Sequence, residues 1–425
     1  MLYSITSAGP VTLTPKYVNF KNFLKRISGK NIFASMKKLP RVALLIESSR
    51  TYGRSILRGI ADYTRVQAAW SVFWQERELH SGIPDWLKTW KGDGIIARIE
   101  NRRMARELLR LKIPVVDVLG NDRYECIPGI DTDADAVAKL AVDFFIKAGF
   151  QQIGFCGYRG IPFSDRREAA IAACLAKLNR QLLICSPKQS KYPPNHIQAI
   201  EAAGVSTQKT IAHWLRQQRF PLALIACNDV RAQQVLNACR DYQIKVPEEV
   251  AVMGVDNDDV LCSLSEPSLT SIQPDAERLG YEAAALLDRM MKGESVAPGI
   301  RQIPPLAIFE RSSTDVIPVD DPILVQALRF IREQLHTRIG VKDVITTVGR
   351  SRTDLESRFR RHLKTSMHGE ILRQRINRAC HLLKQTDLRI EEVASRSGFN
   401  TSTHLCRLFQ CHLKTTPTDY RHGNP

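Results

Sequence analysis

Polar side chains follow several apolar runs in the first three quarters of the chain, at the points where those runs end. Each side chain offers a hydroxyl, carboxylate, amide or guanidinium group that can form hydrogen bonds. The set comprises Ser48, Ser49, Arg50, Tyr52, Arg98, Arg167, Asn228, Asp229 and Asp256. If these groups converge, they suit a ligand rich in hydroxyl groups, because buried polar groups must each find a partner. Helix caps and turns would explain any single one of them equally well.

Enzymatic chemistry finds little support in the sequence. It contains no GxGxxG after the first apolar run, and no GxxxxGK[ST], GxSxG or HExxH. Near the end of the chain His404, Cys406, Cys411 and His412 lie on or just past a predicted helix, with no second cluster of metal ligands nearby. We therefore predict a binding protein without catalytic residues, metal or cofactor.

The elements that must position the polar residues alternate between short apolar runs and amphipathic segments. The runs are RVALLIES, SVFWQ, GIIARI, IPVVDVLG, QIGFCGY, LLICS, ALIACND and VAVMGVD. Helices are predicted between them, including residues 52–69, 134–148 and 164–178. Strands that alternate with helices predict βαβ units and parallel sheets. In such sheets ligands bind beyond the carboxyl ends of the strands, which is where the polar residues lie.

The last hundred residues contain an internal repeat. Apolar residues at four-residue spacing recur fifty residues later, Leu355, Phe359 and Leu363 as Leu405, Phe409 and Leu413. A glycine and a hydroxyl residue precede each set, Gly349 with Ser351 and Gly398 with Thr401. Each half thus predicts a short helix, a turn and a capped second helix with a buried apolar stripe. Such helix-turn-helix units place the second helix in the major groove of DNA.

The charge of the chain is concentrated at its two ends. Of the 425 residues, 1–40 include seven basic and no acidic ones, 41–319 include 35 basic and 33 acidic, and 320–425 include 19 basic and 11 acidic. A basic terminal module indicates a polyanion partner, with nucleic acid first. No apolar run approaches the roughly 18 residues of a membrane helix. Ten cysteines without a CxxC pair fit a reducing cytoplasm.

Residues 1–40 precede the first predicted strand and lack the long apolar stretch of a secretory signal. We expect a basic extension that is disordered or that results from a start assigned too early, since Met36 is a plausible alternative start. A basic arm that touches DNA is the alternative interpretation.

The middle of the chain resembles the sugar-binding core of lactose- and galactose-repressor-type regulators. The resemblance spans about residues 41–313 and is carried by RVALLIESSRTYGRSILRGIADYTR, GIDTDADAVAKLAVDFFIKAGFQQIGFCGY, SDRREAA, ALIACNDVRAQQVLNACRDYQIKVPEEVAVMGVDND and LTSIQPDAERLGYEAAALL. It implies two lobes, each a parallel sheet flanked by helices, with a sugar between them. It also implies that Arg167, Asn228, Asp229 and Asp256 hold the sugar. Those repressors carry their DNA-binding helices before the core, whereas residues 1–40 contain nothing similar.

Residues 323–421 resemble the DNA-binding domain of arabinose-regulator-type transcription factors. The matching stretches are IEEVASRSGF, LCRLF and TTPTDYR. The resemblance implies groove-facing positions at Arg352, Thr353, Glu356 and Arg360 in the first unit, and at Ser402, Thr403, His404, Cys406 and Arg407 in the second. Two positions depart from the family pattern. Ile345 replaces a small residue, and Lys414 stands where a glycine commonly ends the helix.

A repressor-type core joined to an arabinose-regulator-type tail is the arrangement of the xylose-operon regulators, which the chain from Arg41 onward resembles. We therefore expect an α/β, two-lobed, periplasmic-binding-protein-like core over residues 41–318, followed by an all-α double helix-turn-helix domain over residues 319–425.

The same resemblance implies a cytoplasmic transcription factor, an activator that binds double-stranded DNA and responds to D-xylose or a related pentose. A homodimer would present four helix-turn-helix units, and RNA polymerase is a further possible partner. Two alternatives remain open at this point. The core could have lost its ligand and serve only for dimerisation, or the protein could be a sugar-converting enzyme with a basic tail.

Overall fold

A computed structural model describes residues 39–77, 83–120, 124, 126–187, 197–315 and 321–422 of the chain. The predicted basic extension lies outside these ranges, apart from its last two residues. The predicted boundary between residues 318 and 319 also lies outside them. The limits of the domains therefore remain predictions.

Two six-stranded sheets form the frame of the first three quarters of the chain. Their strands are β1 (Arg41–Leu45), β2 (Ser71–Trp74), β3 (Gly94–Ala97), β4 (Val115–Asp117), β5 (Gly129–Thr132), β6 (Gln152–Cys156), β7 (Leu183–Cys185), β8 (Leu222–Ala226), β9 (Val250–Val255), β10 (Thr270–Gln273), β11 (Ile300–Ile303) and β12 (Ala307–Phe309). β8 and β9 are buried at every residue. Continuous apolar strands of this kind belong in parallel sheets that are covered on both faces.

The first sheet has the strand order β11-β5-β4-β3-β1-β2, and the second has the order β12-β10-β9-β8-β6-β7. Neighbouring strands are parallel, except that β12 pairs with β10 in antiparallel orientation. The predicted parallel, doubly covered architecture is confirmed. The antiparallel strand at one edge of the second sheet is an addition that the sequence analysis did not contain.

Helices cover both faces of the two sheets. They are α1 (Thr51–Val66), α2 (Arg102–Arg110), α3 (Ala134–Ala148), α4 (Pro162–Ala176), α5 (Ile197–Ala202), α6 (Gln208–Arg216), α7 (Asp229–Asp241), α8 (Asp259–Leu264) and α9 (Ala276–Met291). The three helices whose limits were predicted, α1, α3 and α4, begin and end within three residues of the predicted positions. No helix in the described ranges is both long and apolar enough to cross a membrane.

The sheets belong to two lobes with separate cores, and the chain passes between them where the strands end. After β5 in the first lobe, α3 packs into the core of the second lobe through Phe145 and Val142. After β10 in the second lobe, α9 returns to the first-lobe core through Leu279 and Leu287. β11 then joins the first sheet, and β12 joins the second. These connections place the carboxyl ends of both sheets on either side of one cleft.

Two glycines let α1 and α9 touch backbone to backbone in the first lobe. A Cβ atom on Gly59 would lie 1.8 Å from the carbonyl oxygen of Glu277, and one on Gly280 would lie 2.0 Å from that of Ile56. Larger residues would therefore push the helices apart. Because α1 begins beside the cleft, this close contact also sets the position of Tyr52 at its first turn.

The tail is all helical. Its helices are α10 (Pro322–Glu333), α11 (Val341–Val348), α12 (Arg352–Leu363), α13 (Met367–Gln385), α14 (Ile390–Arg396), α15 (Ser402–Leu413) and α16 (Pro417–His422). Two separate apolar cores lie along them, one around Leu355 and Phe359 of α12 and the other around Leu405 and Phe409 of α15. The long helix α13 contributes side chains to both cores and so joins the two units.

The predicted buried stripe of the last recognition helix is only partly correct. Leu405 and Phe409 are fully buried, but Leu413 is 38% exposed, so its predicted burial is wrong. α15 ends at Leu413, and the next residue, Lys414, takes a left-handed conformation with φ of 58°. The chain therefore turns away from the core before a third apolar layer can form.

Candidate functional site

A narrow cavity lies between the two lobes, beyond the carboxyl ends of both sheets. Seven of the nine polar residues predicted to bind a ligand line it. They are Arg50, Tyr52, Arg98, Arg167, Asn228, Asp229 and Asp256. The structure therefore brings together side chains that are up to 206 residues apart in the sequence.

Ser48 and Ser49 do not line the cavity. The backbone N–H of Ser48 donates to the carbonyl oxygen of Arg77 over 2.9 Å, and the carbonyl oxygen of Ser48 accepts from Arg54 over 2.9 Å. Ser49 is exposed. These two residues shape the turn between β1 and α1. They were predicted to bind the ligand, but they lie outside the cavity lining.

Four acidic residues that the sequence analysis did not select line the cavity as well, namely Glu47, Asp131, Glu201 and Asp258, the last of which caps α8. Glu47 was predicted to be part of the first strand, but β1 ends at Leu45, two residues before it. Asp131 lies within β5, and Glu201 lies in the short helix α5. Asp131 within a strand and Glu201 within a helix carry no local sequence pattern that indicates a ligand. Only the folded structure shows that they lie in the cleft.

On the first-lobe side, Arg98 at the end of β3 donates to Glu47 over 2.7 Å. Tyr52 shares a hydrogen bond of 3.1 Å with the hydroxyl of Thr132. Burial, together with the nearby charge of Asp131, raises the pKa of Tyr52 well above its usual value, so its hydroxyl keeps its proton. This wall of the cavity therefore presents a cation, a carboxylate and a neutral hydroxyl group.

On the second-lobe side, Asn228 caps α7 by accepting from the N–H of Arg231 over 2.9 Å. Its amide nitrogen donates to Glu201 over 2.8 Å, so the residue serves as a helix cap and a cavity donor at once. The next residue, Asp229, is almost fully buried and accepts from Ser271 over 2.5 Å and from the N–H of Asp258 over 2.8 Å. Burial and the nearby Asp256 raise the pKa of Asp229 to about 8.

Arg167 and Asp256 face each other at the deep end of the second lobe. Arg167, on the first turns of α4, donates to the carbonyl oxygen of Cys227, and its other terminal nitrogen lies 3.6 Å from a carboxylate oxygen of Asp256. Burial raises the pKa of Asp256, while the positive charge of Arg167 opposes that effect. Because a separation of 3.6 Å exceeds hydrogen-bond range, both groups retain hydrogen-bonding capacity toward the cavity.

Several polar contacts connect the lobes across the cleft. Arg50 of the first lobe pairs with Glu201 of the second. In the opposite direction, Arg166 of α4 donates to Asp131 over 2.7 Å. Both carboxylates are largely buried, with side-chain exposures of 5% for Glu201 and 16% for Asp131. The two ion pairs therefore oppose separation of the lobes from both sides of the cavity.

Two buried polar atoms of the cavity wall have no hydrogen-bond partner among the described residues. They are one carboxylate oxygen of Glu47 and the Nε of Arg98. A buried polar atom without a partner costs about 1–3 kcal/mol. Because solvent does not reach either atom, a ligand in the cavity would satisfy them only after a shift of the two side chains.

The two halves of the tail have the predicted helix-turn-helix geometry. Gly349 and Gly398 take left-handed conformations with φ of 67° and 76°. The hydroxyl of Ser351 caps α12 over 3.2 Å, and that of Thr401 caps α15 over 3.1 Å. Both second helices end on a left-handed lysine, Lys364 and Lys414. At Lys414, lysine takes the place of the glycine that the family pattern favours. Ile345, the other departure, is half-buried against the first core.

Most of the predicted groove-facing side chains lie on the outer faces of α12 and α15. The exposed ones are Arg352, Thr353, Arg360, Thr403, Cys406 and Arg407. Glu356, Ser402 and His404 are half-buried. The ring of His404 packs edge-on against Phe399 with 5.7 Å between ring centres. By contrast Arg358, on the inner side of α12, pairs with Asp321 over 2.6 Å and with Asp354 over 2.9 Å, so it stabilises the unit internally.

Known protein families match this chain in three successive ranges. The family described as "XylR N-terminal domain" matches residues 41–135, and "Periplasmic binding protein-like domain" matches residues 142–314. "Helix-turn-helix domain" matches residues 345–423. The first range covers β1 to β5 of the first lobe, the second covers β6 to β12 of the core, and the third runs from within α11 to the end of the helical tail.

Individual relatives extend over nearly the whole chain. The xylose operon regulatory protein of Escherichia coli strain K12 is 30% identical over 398 residues, which cover 91% of this chain and 98% of that protein. The protein of the same name from Haemophilus influenzae is 28% identical and covers 90% of this chain and 98% of its own length. A solved structure described as "xylose-binding transcription activator xylR" superposes with a TM-score of 0.74 at 28% identity, covering 92% of this chain and 100% of that one. This chain belongs to the xylose operon regulatory proteins.

Proposed function

We propose that this protein is a transcription activator that binds D-xylose or a related pentose between its lobes and changes its affinity for operator DNA in response. It is a sugar-responsive, DNA-binding regulator and not an enzyme, in keeping with its relatives and its helix-turn-helix tail. The convergence of polar side chains from both lobes on one cavity carries the sugar part of the proposal. A pentose supplies hydroxyl groups that can donate to the carboxylates and accept from the guanidinium groups of this cavity.

The sugar contacts in this proposal come from both lobes. Six predicted residues contact the sugar, namely Arg50, Tyr52, Arg98, Arg167, Asn228 and Asp256. Glu47, Asp131 and Glu201 are added to them. Since Asp229 uses both carboxyl oxygens within the protein, it acts by holding the Asp258 loop against the cavity. A sugar that contacts groups on both walls favours the closed arrangement of the lobes, because its contacts are complete only there.

The DNA contacts in this proposal come from α12 and α15. The groove-facing set consists of Arg352, Thr353, Glu356, Arg360, Ser402, Thr403, His404, Cys406 and Arg407. Arginine pairs with guanine or with phosphate, Glu356 accepts from cytosine, and Thr403 contacts a thymine methyl group. The excess of basic over acidic residues in the tail supports this assignment, since the phosphate backbone dominates affinity.

Three further parts of the proposal concern the setting in which the protein acts. We infer a cytoplasmic protein, because its DNA partner lies there in bacteria such as those of its relatives. We infer a homodimer, because paired half-sites match a two-fold protein. As an activator the protein also contacts RNA polymerase on the promoter.

Thermal melting of the full chain against a panel of pentoses and hexoses tests the sugar part. A ligand present at a hundred times its Kd stabilises the folded state by about 2.7 kcal/mol, so D-xylose should raise Tm. Operator affinity is then measured at fixed salt with and without D-xylose, and sedimentation gives the oligomeric state. If no sugar shifts Tm, the core serves another purpose, such as dimerisation alone. If Tm shifts but operator affinity does not, the sensor proposal fails.

A further inference from the structure

The loop after β9 has an unusual backbone at the edge of the sugar cavity. Asp256 and Asn257 have φ of 115° and 48°, so two successive residues other than glycine occupy the positive-φ region. Such conformations cost about 1–3 kcal/mol each and persist only where surrounding contacts enforce them. Asp256 lines the cavity, whereas Asn257 does not. The strained loop therefore has one residue on the sugar side and the next on the other side.

The side chain of Asn257 is held from behind by Arg311. The guanidinium group of Arg311 donates to the Asn257 amide oxygen over 2.8 Å and to the carbonyl oxygen of Leu269 over 2.8 Å. Asn257 also donates to Gln273 over 3.2 Å. Arg311 is only 9% exposed, so these bonds form in a largely water-free environment, where they are strong. Movement of the loop at Asn257 must therefore be accompanied by movement of Arg311.

Arg311 begins the segment that leads to the DNA-binding tail. A short 3-10 turn at Ser312–Thr314 follows it, and the carbonyl oxygen of Asp315 then accepts from Arg332 of α10. Arg332 also pairs with Glu248, two residues before β9 begins. The first helix of the tail is thus bonded to the core at Glu248, which precedes β9, and at Asp315, four residues after Arg311.

Beside these bonds an open cleft separates the core from the tail. Its walls include Arg311 and Asp315 from the core, and Arg332 and Gln374 from the tail. The side-chain oxygen of Gln374 is buried there without a hydrogen-bond partner among the described residues. Because this junction is loosely packed, α13 can change its position against the core at the loss of few contacts.

These observations lead to one inference, which rests on the proposed function. We propose that Asn257 and Arg311 are a positioning pair that couples sugar occupancy to the orientation of the DNA-binding tail. Sugar contact with Asp256 selects one backbone conformation of the Asp256–Asn257 loop. Arg311 follows Asn257, and the segment from Arg311 to Asp315 shifts α10 through Arg332. By linkage, operator DNA favours the same loop conformation and so raises sugar affinity by the same factor.

Asn257→Gly is the variant that tests the pair, because glycine tolerates the positive φ and lacks the side chain that Arg311 holds. Asn257→Asp is the matched control, since its carboxylate still accepts from Arg311. Arg311→Lys interrupts the pair from the other side and keeps the charge. For each full-length variant, calorimetry gives the Kd for D-xylose, and fluorescence anisotropy gives the operator Kd with and without D-xylose. The ratio of the two operator Kd values is the coupling factor.

We expect a coupling factor of about 5–150 in the unmodified protein and in Asn257→Asp, the usual range for allosteric coupling. In Asn257→Gly and Arg311→Lys it should fall to about 1, while sugar still binds with a Kd within about threefold of the original. The double variant should lose no more coupling than either single one, because both remove the same contact. A purely structural role would weaken both ligands and leave their ratio unchanged.

The outcomes separate this inference from the proposed function. If the unmodified protein binds no sugar, or shows no coupling, the proposed function itself fails. If the unmodified protein couples and Asn257→Gly couples equally well, the positioning pair is overturned. Loss of coupling in Asn257→Asp together with Asn257→Gly also overturns it, because the acceptor for Arg311 is still present in the former. Should Arg311→Lys not fold, as judged by its melting curve, Asn257→Gly decides alone.

Discussion

Arg166 of the second lobe donates to Asp131 of the first lobe, with 2.7 Å between the guanidinium nitrogen and the carboxylate oxygen. Burial raises the pKa of Asp131, and the charge of Arg166 opposes that rise. The pair therefore offsets part of the cost of burying a carboxylate while it ties the lobes together across the cavity.

Arg166→Ala should lower the free energy of unfolding by about 1–3 kcal/mol, because it leaves a buried carboxylate without its charged donor. Urea denaturation measures the loss. Arg103→Ala is the matched control, since Arg103 pairs with Glu107 over 3.2 Å while its own side chain is 84% exposed. That exposed pair should contribute less than about 0.5 kcal/mol. Equal losses in the two variants would contradict a special role for the pair between the lobes.

Asn228→Asp should separate the capping role of this residue from its role in the cavity. Aspartate caps a helix as well as asparagine does, so Tm should stay within a few degrees. It cannot donate to Glu201, and it places a second carboxylate beside it, so we expect D-xylose affinity to fall at least about tenfold. Calorimetric titration with D-xylose measures this change. Unchanged affinity would mean that Asn228 is a helix cap and nothing more.

Asp229 should make stability depend on pH in the direction opposite to that of most carboxylates. Its pKa of about 8 in the folded protein lies above its ordinary value of 3.8, so between these values the folded state holds a proton that the unfolded state has released. The stabilisation is complete at low pH and is lost as pH rises toward 8, with a slope of at most about 1.4 kcal/mol per pH unit. Urea denaturation between about pH 5 and pH 8 should show this slope, measured against Asp229→Asn, which cannot ionise. Parallel pH profiles for the two proteins would refute it.

Arg407→Ala should weaken operator binding by about 1–3 kcal/mol and relax the preference at one base position, if Arg407 reads a base edge. The operator is obtained by selection from a random-sequence DNA pool, and anisotropy at fixed salt measures binding. The exposed Arg103→Ala in the first lobe serves again as the control and should leave binding unchanged. A uniform loss on all sequences would assign Arg407 to a phosphate contact instead.

Lys414→Gly should raise the free energy of unfolding by about 1 kcal/mol, because a residue with a Cβ pays that order of energy in the left-handed region. Lys177→Gly is the matched control, since Lys177 follows α4 with φ of −61°. At that ordinary helical conformation glycine should destabilise by about 0.5–1 kcal/mol. Thermal and urea unfolding measure both variants. The same sign of change in both would show that the left-handed backbone at Lys414 is not strained.

Much of the fold follows from sequence patterns because those patterns are local. The continuous apolar runs of β8 and β9 fix their place in covered parallel sheets, and Asn228 and Asp256 were found because they directly follow those runs. β12 was not predicted, since three residues, of which two are exposed, carry no recognisable period.

The parts of the site that escaped prediction depend on distant contacts. Glu201 lies in a six-residue helix and acquires its position from Arg50 and Asn228, which are 151 and 27 residues away in the chain. Ser48 and Ser49 have the chemistry of ligand contacts and follow a strand. However, the turn before α1 places Arg50 and Tyr52 in the cavity lining, and not the two serines. Residue type and position at a strand end thus predict most of the polar residues that line the cavity. They do not predict which residues of a turn face it.

The single helix α13, with Met367 in one core and Leu383 in the other, has a consequence for the promoter. Each residue of an α-helix advances the chain by about 1.5 Å and rotates it by about 100°. The number of residues in α13 therefore determines the angle between the DNA-facing sides of α12 and α15. The spacing of paired DNA elements, roughly 34 Å for one turn, must have evolved to match it. Inserting one residue into α13 would rotate one helix-turn-helix unit away from the DNA, although each unit would keep its own fold.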